Sequence, residues 1–150
     1  MKPHAVLALL VAAVFSGCSD PISPQPIIIR EAYELISVDG QPLPFLLTSD
    51  SRGTEHVEDG GALIADGIIS FTGSIYHDWP GQSAGSNVMT WLDRVTVSDL
   101  RRAGSTILFT VGGAWQGTIR GDTLTLRVQN TAGESRTFTL VGCGSMICAN

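Results

Sequence analysis

From Thr106 to Val141 the chain repeats one pattern, in which apolar and polar residues alternate along short runs separated by turn residues. In "DTLTLRVQ", Leu124, Leu126 and Val128 fall on one side and Thr123, Thr125, Arg127 and Gln129 on the other. A helix repeats every 3.6 residues, so this alternation fits only strands with one buried face. "SRTFTLV" continues it with Phe138 and Leu140, and "STILFTV" with Ile107, Phe109 and Val111. In "AWQGTIR", Trp115 and Ile119 flank Gly117, and a glycine at an inward position permits strong coiling or close approach of another chain. Upstream, "GALIADGIISFTG" sets Asp66-Gly67 between two apolar runs, a hairpin signal because the tight primed turn needs positive backbone angles that Asp and Gly tolerate. Ile69, Phe71 and Ile75 then alternate with Ser70, Thr72 and Ser74. With "VMTWLDRVTV" and Tyr33 to Val38, the count is eight or nine antiparallel strands and no helical period. Such a series closes into a barrel or stacks as a sandwich.

The first residues differ. MKPH carries one lysine, and Ala5 to Phe15 form an uncharged apolar run of 11 residues ending at Ser16-Gly17. That is the layout of a secretory signal peptide, and the run is too short to span a bilayer as a helix. Phe15-Ser16-Gly17-Cys18 resembles the lipobox of bacterial lipoproteins, with Phe15 where the pattern prefers leucine. The resemblance implies cleavage before Cys18, a diacylglyceryl thioether on its sulfur and, usually, an acyl chain on the new amino terminus. Several chains anchor stably where one is marginal, since each buried methylene contributes roughly 0.8 kcal/mol. The alternative is an ordinary signal peptide with an incidental cysteine. Asp20 sits one place too late to resemble the usual inner-membrane retention signal, so the resemblance favours the outer membrane. "SDPISPQP" follows, with Pro21, Pro24 and Pro26, and reads as an extended tether of about 25 Å at ~3.1 Å per residue. The expected organisation is a signal peptide over 1–17, a lipidated cysteine and tether over 18–26, and one barrel domain over 27–150.

Removing the signal takes away Lys2, the only lysine, and leaves eight arginines against 14 acidic residues, a formal charge of −6. An acidic domain without a basic run is a poor partner for nucleic acid or anionic headgroups. Of the three cysteines, lipidation of Cys18 leaves Cys143 and Cys148 in "CGSMIC". An exported compartment favours a bridge between them, worth only about 2 kcal/mol because the loop is short. Free thiols and a zinc site are the alternatives, the second weakened because neither His56 nor His77 is near in sequence.

"YELISVDGQPLPF", the "GALIADGIISFTG" hairpin and "GTIRGDTLTLRV" together resemble a group of small exported bacterial proteins of lipocalin-like shape. The resemblance covers most of residues 32 to 141 and rests on strand and turn motifs. It implies a single antiparallel up-and-down barrel. The chain lacks the Gly-x-Trp start of true lipocalins, so no lipocalin ligand carries over.

Four features bear on chemistry. "GQSAG", residues 81 to 85, matches the Gly-x-Ser-x-Gly elbow of serine hydrolases, but that elbow needs a strand before it, a helix after it and a later histidine. Pro80 precedes it and both His56 and His77 come before Ser83, so a plain loop is expected. His77-Asp78 and "EHVED" (Glu55 to Asp59) offer metal ligands at spacings that fit no known loop geometry, so solvated turns are expected. The loop "YHDWPGQSAGSN", residues 76 to 87, places Tyr76, His77 and Trp79 where a barrel mouth would be. Trp79 either closes over an apolar or sugar ligand there or folds back to plug the barrel end. Asp93 shares parity with Met89, Trp91, Val95 and Val97 and would point inward, at a cost unless paired. A bulge shifting the register would instead put it in water.

The resulting expectation is a lipid-anchored envelope protein without cofactor, metal or catalytic residues. It would be a binding module for a small apolar or amphipathic molecule. The alternative is a structural or interaction protein with a filled core, bound to another envelope protein, because eight strands lined with Ile, Leu, Phe, Trp and Val can just fill a barrel.

Overall fold

Asp39-Gly40 and Asp66-Gly67 both hold positive φ angles, 51° and 75° in the first pair and 52° and 76° in the second. Each pair folds the chain back within two residues, as a primed hairpin turn requires. The computed structural model describes Ile29, residues 31–129 and residues 133–143, and in them the chain forms ten strands and no helix. These are β1 (Glu31–Val38), β2 (Gln41–Pro42), β3 (Phe45–Asp50), β4 (Gly53–Ala65), β5 (Ile68–Asp78), β6 (Gly85–Ala103), β7 (Thr106–Val111), β8 (Trp115–Arg120), β9 (Thr123–Gln129) and β10 (Ser135–Gly142).

Every neighbouring pair from β4 to β10 is antiparallel, and β1 closes the ring by pairing with β10 on one side and β4 on the other. β1 and β4 to β10 therefore make a closed eight-stranded barrel, with β2 added to β1 and β3 added to β4. Closure removes the exposed edges that an open sheet would present. The expected eight or nine strands become ten because the short β2 and the "FLLTSD" strand β3 carry no clean alternation.

The inward positions predicted from alternation are the core. Leu124, Leu126, Phe138 and Leu140 are buried, as are Phe109, Val111 and Ile119. Gly117 faces Phe109 across β7 and β8, and a Cβ there would fall 2.1 Å from the Phe109 ring. The absent side chain makes room for the aromatic one. Phe71 stands at the centre of an aromatic group, 4.5 Å from Trp91, 5.1 Å from Phe138 and 6.2 Å from Trp115 between ring centroids. These rings and the surrounding aliphatic side chains occupy the barrel interior. At the β1–β10 seam, Asp39 accepts the Thr137 N–H at 2.7 Å and pairs with Arg136 at 3.3 Å, while the Arg136 guanidinium lies 5.3 Å over the Phe45 ring.

Strands β4, β5 and β6 run 13, 11 and 19 residues, far beyond the six to eight of the other barrel strands. Their surplus, joined by β3, forms a four-stranded extension past one end of the barrel. Bulges at Leu46/Thr48, Val57/Asp59 and around Phe71 bend it, as an extra residue on one strand must. Phe45, Val57 and Ile75 are cross-strand neighbours in the extension and are buried. Among the described residues, β6 pairs with β7 only over Val97–Ala103, so Gly85–Thr96 has a strand neighbour on the β5 side alone.

The bulges in β6 decide Asp93. Phe71 pairs with Leu92 and Ile69 with Val95, so β6 carries one extra residue between them, with Arg94 at φ 50°. Val95 regains its inward place and Asp93 lies in water. The parity expectation fails there, and the bulge alternative describes the chain.

Candidate functional site

The tip of the extension gathers the residues that carry chemistry. β5 continues to Asp78, so Tyr76 and His77 belong to a strand, and the connecting loop is residues 79–84. Successive strand residues face opposite sides. His77 therefore shares the face of Ile75 and of its cross-strand neighbour Glu55, whereas Tyr76 pairs with His56 and Ser86 on the other face. Of the three expected mouth residues, His77 and Trp79 come together, with ring centroids 4.9 Å apart, and Tyr76 stands apart from them. The place is also shifted, because this corner lies on the extension outside the packed interior.

Trp79 is held from two sides. His77 packs against its ring, and the β3–β4 hairpin approaches through Gly53. Gly53 has φ 128°, and a Cβ there would lie 2.1 Å from the Asp78 carbonyl oxygen and 2.8 Å from Trp79 Cδ1. Only glycine fits that backbone angle and that gap. His77 Nδ1 sits 3.2 Å from Glu55 Oε1, although the alignment is not that of a hydrogen bond.

Two concavities meet at this indole. The larger, about 480 Å³, lies between the β3–β4 hairpin and the β5–β6 loop and is lined by Thr48, Asp50, Ser51, Arg52, Gly53, Glu55, Trp79, Pro80 and Gln82. The smaller, about 170 Å³, is lined by His77, Trp79, Gln82, Ser83, Gly85, Ser86 and Asn87. On the rim, Arg52 grips Asp50 with Nη2 to Oδ2 at 2.8 Å and Nε to the same oxygen at 3.1 Å. That guanidinium holds the Asp50 carboxyl below the usual carboxylate range, and the carboxylate in turn raises the Arg52 pKa. Sequence reasoning missed Asp50, Arg52 and Gly53. The turn-rich "SDSRG" between "FLLT" and "TEHV" was the available signal for a hairpin there.

Ser83 of "GQSAG" is exposed in the loop and lines the same recess as His77, with no hydrogen bond between them among the described residues and no helix after it. In "EHVED", Glu58 accepts the Ser86 hydroxyl at 2.6 Å and Asp59 accepts the Ser74 N–H at 3.1 Å, so these carboxylates brace the strands. Among the described residues no three His, Cys, Asp or Glu side chains are placed to hold a metal ion. Cys143 follows β10, its N–H donating to the Ala32 carbonyl at 3.0 Å. Cys18 and Cys148 lie outside the described residues, as do the expected signal peptide and tether.

Known family models, curated proteins and solved structures were all compared with the chain, and none matches it.

Proposed function

We propose that the chain is a lipid-anchored lipoprotein of the cell envelope, held at the outer membrane through Cys18, and that it is a noncatalytic binding module whose site lies outside the barrel. One observation carries the siting: aromatic and aliphatic side chains fill the interior, while the 480 Å³ groove opens at the tip of the extension. Leu124, Leu126, Phe138 and Leu140 are 0–2% exposed inside the barrel, so an apolar ligand there would have to displace core. The anchoring rests on the Phe15–Cys18 signal and the prolines after it. A Cys143–Cys148 bridge belongs to the same reading, since it accounts for the two cysteines that lipidation leaves.

The second reading, an interaction protein, draws on the one-sided pairing of β6. Val88 and Met89 on that strand are 80% and 42% exposed, and the Gly85–Leu92 part of the edge, which carries no charge and no proline, invites a further strand.

Native mass spectrometry of the full chain from its own host tests the first reading, with a reproducible copurified small-molecule mass as the expected result. A clean apo mass and a concentration-dependent complex would favour the second. Metabolic lipid labelling of the precursor tests the anchor: Cys18→Ser abolishes the label, and a label that survived would refute the assignment. The intact mass also reads the two hydrogens lost to the bridge.

A further inference from the structure

We propose that the Trp79 corner is a saccharide site that takes a neutral oligosaccharide across the indole; this rests on the reading that the protein binds through its outer surface. The two concavities share Trp79 and Gln82, so the same indole and the same amide line both. A sugar ring presents an apolar face of C–H groups and a rim of hydroxyls. Such a ligand needs a flat amphipathic aromatic beneath it and short polar side chains around it. Thr48, Glu55 and Gln82 supply that rim in the larger concavity, and Gln82, Ser83 and Asn87 in the smaller. At about 480 Å³ the larger concavity falls inside the ~300–1,000 Å³ range of small-molecule sites.

Charge narrows the class. The one guanidinium lining the larger concavity, that of Arg52, is held by Asp50 and also feels Glu55, so two carboxylates there face a single guanidinium. An anionic ligand would meet net negative charge. A wholly apolar one would strip water from Asp50, Arg52 and Glu55 without replacing their hydrogen bonds, which is costly. Hydroxyls both donate and accept, so a neutral polyol can satisfy all three.

The platform is also fixed in advance. Gly53 lets the hairpin backbone close on Trp79 Cδ1 and Cα, and His77 packs on the ring, so the indole has little freedom left to lose on binding.

The test uses the full chain, purified in a detergent without a sugar headgroup. It is titrated by calorimetry and tryptophan fluorescence with cellotetraose, tetra-N-acetylchitotetraose and maltotetraose, and with tetragalacturonic acid as the anionic comparison. At least one neutral tetrasaccharide binds saturably, and the uronate binds at least about tenfold more weakly. Trp79→Ala weakens binding at least about tenfold, and Gln82→Ala, which leaves the indole in place, about threefold. Far-UV circular dichroism checks that each variant is folded. Tighter binding of the uronate, no saturable neutral binding, or binding unchanged in folded Trp79→Ala overturns the proposal. If the neutral sugars fail but a copurified mass disappears in Trp79→Ala, the saccharide assignment falls and the outer-surface reading stands. If neither sugars nor a copurified mass bind, both fall.

Discussion

Phe71→Ala would empty the centre of the barrel. The ring is fully buried, and its neighbours Trp91, Trp115 and Phe138 come from three other strands. Truncating a buried phenylalanine costs about 3–5 kcal/mol, because the transfer energy of the ring is lost and the cavity it leaves collapses only in part. Collapse is hard here, since the three facing rings sit on hydrogen-bonded strands and cannot follow the gap. Each aromatic pair also carries about 0.5–1.5 kcal/mol beyond its area. The upper end, near 4–5 kcal/mol, is therefore expected. For a domain of about 100 residues this lowers the melting temperature by roughly 15–25 °C, at ~4–5 °C per kcal/mol. Urea unfolding followed by tryptophan fluorescence measures it directly, because Trp91 and Trp115 lie in the same cluster. Phe71→Leu, which keeps most of the volume, should recover more than half of the loss. A cost for Phe71→Ala below about 1.5 kcal/mol with an unchanged urea dependence would mean the interior is loose, and the siting of the ligand outside it would lose its basis.

Gly117→Ala puts a methyl 2.1 Å from the Phe109 ring; overpacking of this kind costs about 1–3 kcal/mol in the same unfolding experiment. Tyr33 is buried with its hydroxyl donating to Glu31, and desolvation first, then that bond and the nearby carboxylate, raise its pKa above the ordinary value. Its neutral form is favoured by folding, so stability is flat below the unfolded tyrosine pKa near 10 and falls above it, by up to about 1.4 kcal/mol per pH unit for this one proton. Comparing urea midpoints between pH 8 and 11 in the chain and in Tyr33→Phe isolates this loss, and an identical slope in both would refute it. Asp93→Asn changes stability by less than about 0.5 kcal/mol, as an exposed position should; a larger change would contradict the bulge at Arg94.

The barrel was legible because β7 to β10 keep strict alternation, so the inward residues of "DTLTLRVQ" and "SRTFTLV" could be read directly. β6 was not legible in the same way. Three register shifts interrupt its pairings with β5 and β7, and each moves later side chains to the other face without a mark in composition. Asp93 is the residue this misplaces. The corner was half legible: His77 and Trp79 were singled out from a turn-rich stretch, but their partners Asp50, Arg52 and Gly53 arrive from a hairpin distant in sequence. Only the pairing of β3, β4 and β5 brings the two stretches together.

The direction in which the corner faces follows from where the described chain enters and leaves the barrel. Glu31 at the start of β1 pairs with Ile64 beside the Asp66-Gly67 hairpin, and Cys143, just past β10, bonds to Ala32 at that same pole. Trp79 stands past the opposite end of β5, whose 11 residues span about 33 Å at ~3.3 Å per step. A chain held from its amino-terminal side therefore presents Trp79 at its distal pole. Under the proposed anchoring at Cys18, shortening the proline segment would lower the indole relative to the lipid and leave it at the pole away from the anchor.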